Sequence, residues 1–132
     1  MQGPRSEAAA LNALGLMYKD QARYDEARAL YGRALSLLES ETEPDQDDIA
    51  TLYHNLGGIE HARGDYAAGE PFARRGLAIR LGLLGAHPHA VAADQVALAA
   101  ILDGLRQYEE SERLYLEALE VFEGEAEPGR SR

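Results

Sequence analysis

The stretch LNALGLMYKDQARYDEARALYGRALSLL, residues Leu11–Leu38, decides how this chain is read, because its pattern returns twice more downstream. Tyr24, Tyr66 and Tyr108 are each 42 residues apart, as are Leu14, Leu56 and Leu98, and again Leu35, Leu77 and Leu119. Small residues keep the same interval: Gly15, Gly57 and Ala99 form one set, and Ala34, Gly76 and Ala118 another. A fixed period of this size marks a stacked repeat protein, in which each unit buries its apolar face against its neighbours. Equivalent units should place the three tyrosines in like surroundings.

Around this stretch the spacing predicts six helices. Ser6 is placed to cap a first helix from Glu7, with Leu11, Leu14, Gly15 and Tyr18 on one apolar face. A stop is expected between Asp20 and Arg23. The second helix begins at Tyr24, with Asp25 and Glu26 in the first turn where the helix dipole favours acids. Its stripe is Ala27, Leu30, Tyr31, Ala34, Leu35 and Leu38. The polar run SETEPDQDD, residues 40–48, is a connection in which Pro44 ends one helix and Asp45 or Asp47 caps the next. The third helix is expected from about Asp47 to Arg63, and the fourth from the Gly64-Asp65 turn to about Leu84. The fifth has Pro88 in its first turn and ends near Gly104. The sixth runs from Tyr108 to Glu123. Residues 1–5 and 125–132 are expected to be disordered, leaving one domain over 6–124 with repeats at about 8–41, 50–84 and 92–123.

Two positions conflict with the pattern. Pro71 falls inside the fourth helix, where it costs about 3 kcal/mol unless the helix adapts, so a bend or an irregular start is expected between Gly69 and Pro71. Glu60 stands where Tyr18 and Leu102 stand in the other units. It should reach solvent at an edge or bond a neighbouring hydroxyl or base.

Composition narrows the function. A chain of 132 residues is one domain, and the absence of cysteine excludes disulfides and thiolate metal sites. Apolar runs are too short and interrupted to span a membrane, and Met1–Ser6 has no apolar signal core, so a cytoplasmic location is the expectation. The net charge of −10 is uneven: residues 8–49 carry −5, residues 50–91 carry +1 and residues 92–132 carry −6. The acidic flanks would repel a phosphate backbone, so no nucleic acid partner is expected. A Gly-rich phosphate loop and a zinc-protease helix motif are both missing, and the serines sit at helix ends or on polar faces, so no enzymatic role is expected. His54 and His61 are about 10.5 Å apart along a helix, too far to share an ion. His87 and His89 flank a proline, and the acid run Glu39–Asp48 lacks a calcium loop's glycine, so neither metal nor cofactor is expected.

The unit resembles the tetratricopeptide repeat, in the 42-residue version found in kinesin light chains and many bacterial scaffold proteins. The residues that carry the resemblance are Leu11-Asn12-Ala13-Leu14-Gly15 with Tyr18, then Ala22-Arg23-Tyr24-Asp25-Glu26-Ala27, then Leu30-Tyr31 and Arg33-Ala34-Leu35. The second copy keeps His54-Asn55-Leu56-Gly57 and Arg63-Gly64-Asp65-Tyr66, and the third keeps Leu98-Ala99, Gln107-Tyr108-Glu109-Glu110 and Arg113-Leu114-Tyr115 with Ala118-Leu119. Gly69, where the pattern wants alanine, and Glu60 depart from it and should weaken packing locally. The resemblance implies an all-α, right-handed α-solenoid of three helix pairs.

It also implies that the first helix of each pair lines a concave groove holding a peptide or protein ligand. The inward row would be Ala9, Asn12, Leu16 and Lys19 in the first unit, and Thr51, His54, Gly58 and His61 in the second. The third unit would offer Ala93, Val96, Ala100 and Asp103, with Ala13, Asn55 and Ala97 beside the rows. Spacings of three and four keep each row on one helix face. Such a groove has a mildly cationic end at Lys19, His54 and His61 and an acidic contact at Asp103, and its Asn12 and Asn55 amides suit a ligand backbone. The version that clamps a C-terminal carboxylate wants bases where Asn12, Ala93 and Ala97 stand, so that ligand is not expected. The sixth helix carries Leu116 and Phe122 where the fourth carries Arg74 and Arg80. A terminal repeat should be polar outside, so Leu116, Leu119 and Phe122 form a candidate self-association face, covered by a second copy, a partner or further repeats. The function expected is a non-catalytic adaptor, with an assembly or regulatory subunit acting through its end faces as the alternative.

Overall fold

The computed structural model describes residues 3–83 and 85–126. Its elements are α1 (Pro4–Asp20), α2 (Tyr24–Glu39), α3 (Gln46–Ala62), α4 (Tyr66–Leu81), α5 (Pro88–Gly104) and α6 (Tyr108–Ala126), and no strand occurs among the described residues. Consecutive helices pair as α1–α2, α3–α4 and α5–α6, with α2 packed on α3 and α4 on α5. The all-helical stack of three pairs read from the 42-residue period is the architecture found.

Equivalent residues close the three hairpins in the same way. Arg23, Asp65 and Gln107 each donate their backbone N–H to the carbonyl five residues back, on Tyr18, Glu60 and Leu102, at 2.8 Å. The residue before each is left-handed: Ala22 at φ 60°, Gly64 at φ 78° and Arg106 at φ 64°. This is the helix C-terminal turn that a glycine adopts freely and other residues adopt at a cost. Within the hairpins, small residues set the approach. A Cβ on Gly15 would lie 2.6 Å from the Tyr31 ring, and one on Gly57 would lie 3.3 Å from the Ala73 backbone nitrogen. In the third pair Ser111 donates its hydroxyl to the Ala99 carbonyl at 2.8 Å.

The core falls into two clusters along the stack. One joins Leu11, Leu30, Tyr31 and Leu38 to Ile49, Leu52, Leu56 and Ile59; the other joins Ala73 and Leu77 to Leu98, Ile101, Leu102 and Leu114. Burying each large aliphatic side chain contributes about 1.5–3 kcal/mol, so the helix-to-helix stripes, rather than the polar turns, hold the stack.

Several details depart from the sequence reading. α1 begins at Pro4 with Gly3 as its cap, so Ser6 lies inside the helix, and Arg5 pairs with Asp45 at 2.7 Å and with Asp48 at 3.2 Å. Proline suits this start, because the first helical N–H has no partner in any case. Asp45, not Asp47, caps α3 by accepting from the Asp48 N–H. α4 ends at Leu81 and runs unbroken through Pro71. Its first turn is regular, with Asp65 accepting from the Ala68 N–H and the Gly69 N–H bonded to the Asp65 carbonyl. α6 continues to Ala126, and residues 127–132 of the expected tail lie outside the described residues.

Glu60 is buried rather than at a solvent edge, with Oε1 at ion-pair distance from Arg28 (3.5 Å) and Arg63 (3.6 Å) but without a hydrogen-bond partner among the described residues. Gly69 does not loosen its surroundings as expected. A methyl there would meet Glu60 Cβ at 3.1 Å and both the Gly57 carbonyl and Ile101 Cδ1 at 3.2 Å. Tyr24 and Tyr66 are half-buried, and Tyr66 lies flat on the end of α5, where a Gly104 Cβ would strike its ring at 2.6 Å. Tyr108, unlike its two counterparts, is exposed. The three tyrosines therefore share a backbone position but not an environment.

Candidate functional site

The residues expected to line a binding face lie along the first helix of each pair, and none is fully buried. Ala9, Ala13 and Leu16 on α1 are exposed, as are His61 on α3 and Ala93, Val96 and Asp103 on α5. Asn12, Lys19, Thr51, His54, Asn55, Gly58, Ala97 and Ala100 are half-buried. The same helices send their other sides into the core through Leu11, Leu52, Leu56, Leu98 and Leu102. Each is thus amphipathic, with small and polar groups left facing out.

Several of these groups are brought together across helices. Asn55 donates its amide to Asn12 at 2.6 Å, which ties α3 to α1. Whichever way the two amides are turned, one amide nitrogen and one amide oxygen take no part in this bond. Lys19 reaches over α3, with its Nζ 3.4 Å from where a Gly58 Cβ would stand. Lys19 has no ion pair among the described residues. Beside the asparagines lies a recess of about 320 Å³ whose lining includes Ala8, Asn12, Thr51 and Leu52 together with the charged Arg5 and Asp48. His61 stands edge-on to Tyr66, ring centroids 5.5 Å apart. Val96, Ala100 and Asp103 make no polar contact with the rest of this row among the described residues.

His54 and Thr51 belong to a polar network that the sequence reading did not assemble. Buried Arg80 on α4 donates from Nε to Asp94 on α5 at 2.9 Å, from Nη1 to Asp47 at 2.6 Å and from Nη2 to Thr51 Oγ1 at 3.2 Å. The other Asp94 oxygen lies 3.0 Å from His54 Nδ1, at ion-pair distance but without hydrogen-bond alignment. Burial pulls the Arg80 guanidinium toward its neutral form, but the bonds to Asp94 and Asp47 outweigh it and hold it above its ordinary range. Asp94 and Arg80 stand 42 residues after Leu52 and Leu38, which pack in the first cluster. Two polar departures at matched, facing positions are the signal that would have found the network.

No group of three or more metal-capable side chains occurs among the described residues, and no described helix is long and apolar enough to cross a membrane.

On the α6 side, Leu116, Leu119 and Phe122 are all exposed, with Phe122 edge-on to His89, ring centroids 5.2 Å apart. The structure divides them. The positions matched to Leu116 are Gly32 and Arg74, neither of which is buried, whereas those matched to Leu119 and Phe122 are covered in the earlier units. Tyr115 belongs with the latter pair.

Comparison with known proteins agrees with this architecture. The sequence model of the tetratricopeptide repeat matches twice, over residues 6–82 and 48–124. No curated protein matches the chain. The crystal structure of BtubC (BKLC) from P. vanneervenii, a kinesin light chain-like repeat protein, is similar with a TM-score of 0.80 at 21% identity, over 95% of this chain and 51% of that one. The chain thus spans about half the length of BtubC. The N-terminal domain of stress-induced protein-1 from C. elegans is similar with a TM-score of 0.71 at 15% identity, over 91% of this chain and 87% of that one. At these identities the likeness speaks for the fold. With two overlapping matches reaching from residue 6 to residue 124, and three hairpins closed by equivalent residues, the chain belongs to the tetratricopeptide repeat family.

Proposed function

We propose that this protein is a non-catalytic adaptor that holds a peptide segment of a partner on the face formed by α1, α3 and α5. Tetratricopeptide repeats are protein–protein interaction modules, generally without catalytic activity. The observation that carries the finer reading is the Asn12–Asn55 pair, which leaves an amide nitrogen and an amide oxygen outside its own bond, beside a recess of about 320 Å³. A peptide backbone presents the complementary pair of groups at every residue. Leu16, Val96 and Ala100 supply apolar contact for side chains, and Lys19 supplies a cation without a resident partner among the described residues.

A library of displayed peptides selected against the intact chain tests this. Selected peptides should lose at least about tenfold in affinity against Asn12→Ala/Asn55→Ala, the equivalent of about 1.4 kcal/mol. Binding unchanged by that pair and by Val96→Glu, with helicity retained, would place the ligand elsewhere.

The second reading, an assembly or regulatory subunit acting through its end faces, is favoured by one observation: Leu119 and Phe122 on α6 are exposed where their counterparts are covered. A self-associating α6 face belongs to this reading.

A further inference from the structure

The repeat itself states what an α6 end face is built to meet. Tyr31 on α2 and Ala73 on α4 are 0% and 3% exposed, but Tyr115, their counterpart on α6, is 38% exposed. Leu77 is 8% exposed and Leu119 48%; Leu38 and Arg80 are 2% and 5% exposed and Phe122 36%. In the first two pairs the cover is a helix: α3 lies on α2, and α5 on α4. α3 does this with Ile49, Leu52, Leu56 and Ile59, all buried in one cluster with Tyr31 and Leu38.

Charge then selects the occupant. At the edge of the α2–α3 contact, Asp25 pairs with Arg63, and Arg28 lies 3.5 Å from Glu60. On α6 the matching residues are Glu109 and Glu112, both acids, both exposed and without an ion pair among the described residues. The incoming helix therefore needs bases at both edge positions. A second copy of this chain fits poorly in either orientation. Face to face, two copies would bring Glu109 and Glu112 of each together, on helices that carry six acids against one base over residues 108–123. Stacked head to tail, α1 would offer Glu7 and Ala10 in place of Ile49 and Leu52, and Tyr18 and Gln21 where bases are required.

We propose that the Tyr115, Leu119 and Phe122 face binds one amphipathic helix of a partner protein, apolar at the spacing of Ile49, Leu52, Leu56 and Ile59 and basic at the places of Glu60 and Arg63. This site lies on α6, apart from the proposed peptide face, and does not depend on it.

The probe is a synthetic peptide with the sequence of residues 46–63 carrying Glu60→Lys, titrated into the intact chain by fluorescence anisotropy. Saturable binding is expected. It should weaken about tenfold with Leu119→Asn, an exposed position whose loss leaves the core intact, and stay unchanged with Asn55→Ala. Reversing the charges supplies a second test. A peptide with native Glu60 and Arg63→Glu should bind the wild-type chain weakly and bind the Glu109→Lys/Glu112→Lys chain at least about tenfold better. No saturation up to about 1 mM, indifference to Leu119→Asn, or failure of the reversed pair to restore binding would overturn the proposal. So would a sedimenting dimer of the wild-type chain that Leu119→Asn dissociates, because a second copy would then be the occupant.

Discussion

The Arg80–Asp94 pair makes the sharpest test of the packing, because the chain contains its own apolar control. Arg80 and Asp94 occupy, between α4 and α5, the positions that Leu38 and Leu52 occupy between α2 and α3. Their side chains are 6% and 3% exposed and 2.9 Å apart. Taking away one partner of such a pair leaves a buried charge without compensation, which costs about 3–5 kcal/mol, whereas replacing both by apolar groups is often neutral or stabilising. Arg80→Leu takes the guanidinium from Asp94 and leaves only the His54 ring beside it, so a loss of about 3 kcal/mol, the lower end of that range, is expected. Asp94→Leu is milder, about 2 kcal/mol, because Arg80 keeps Asp47 and Thr51. Arg80→Leu/Asp94→Leu rebuilds the leucine contact of the neighbouring interface and should return to within about 1 kcal/mol of the parent. The cycle then gives a coupling energy of about 4 kcal/mol, read from urea unfolding of the four proteins at neutral pH. Two single variants each costing less than about 1 kcal/mol, or a double variant as unstable as the sum, would refute the argument that the pair acts as one buried unit.

Two further outcomes follow from the core of the first pair. The Tyr31 hydroxyl is buried without a hydrogen-bond partner, and burial, with the Asp20 charge adding to it, pushes its pKa up to about 12. The neutral form is the one the folded state holds, so the stability is intact below the unfolded-state pKa near 10 and is lost as pH rises from there through about 12. Tyr31→Phe should abolish this alkaline loss in a pH series of unfolding curves and leave neutral-pH stability equal or higher by about 1 kcal/mol; a marked loss at neutral pH would reveal a partner for the hydroxyl. Glycine exchange separates close approach from propensity. Gly32→Ala, with nothing within 4 Å of the new methyl, should stabilise by up to about 1 kcal/mol. Gly15→Ala should destabilise by about 1–3 kcal/mol against the Tyr31 ring, and midpoints that move in the same direction for both would count against this.

The helix pairs were legible in the chain because each depends on neighbours three or four residues away. A period of 42 residues carried the same stripe three times, and most helix starts fell where a cap or a dipole-favoured acid announced them. The α1 start was misread because Ser6 is the stronger cap type, yet Gly3 followed by Pro4 gave the chain an earlier place to begin. Pro71 suggested an interruption that the packed helix does not have. Asn12 and Asn55 of the expected inward row are half-buried and bonded to each other, a pairing that helical spacing within one unit does not announce. Composition around α6 groups Leu116 with Leu119 and Phe122 as a candidate self-association face; Tyr115, like the latter two, is exposed where its counterparts Tyr31 and Ala73 are buried.

The sequence by itself determined that the chain is helical, that it stacks in three like units, and which side of each first helix is left outside the core. Apolar periodicity settles those matters, since one helix face must leave water whatever its neighbour is. Only the tertiary structure decided which polar groups meet. Arg80, Asp94, His54 and Asp47 come from three helices, and Glu60 finds its bases on α2 and at the end of α3. Their distances are set by the way helices cross, and a charge far away along the chain becomes a partner or a liability only once that crossing brings it within a few ångströms, where water no longer screens it.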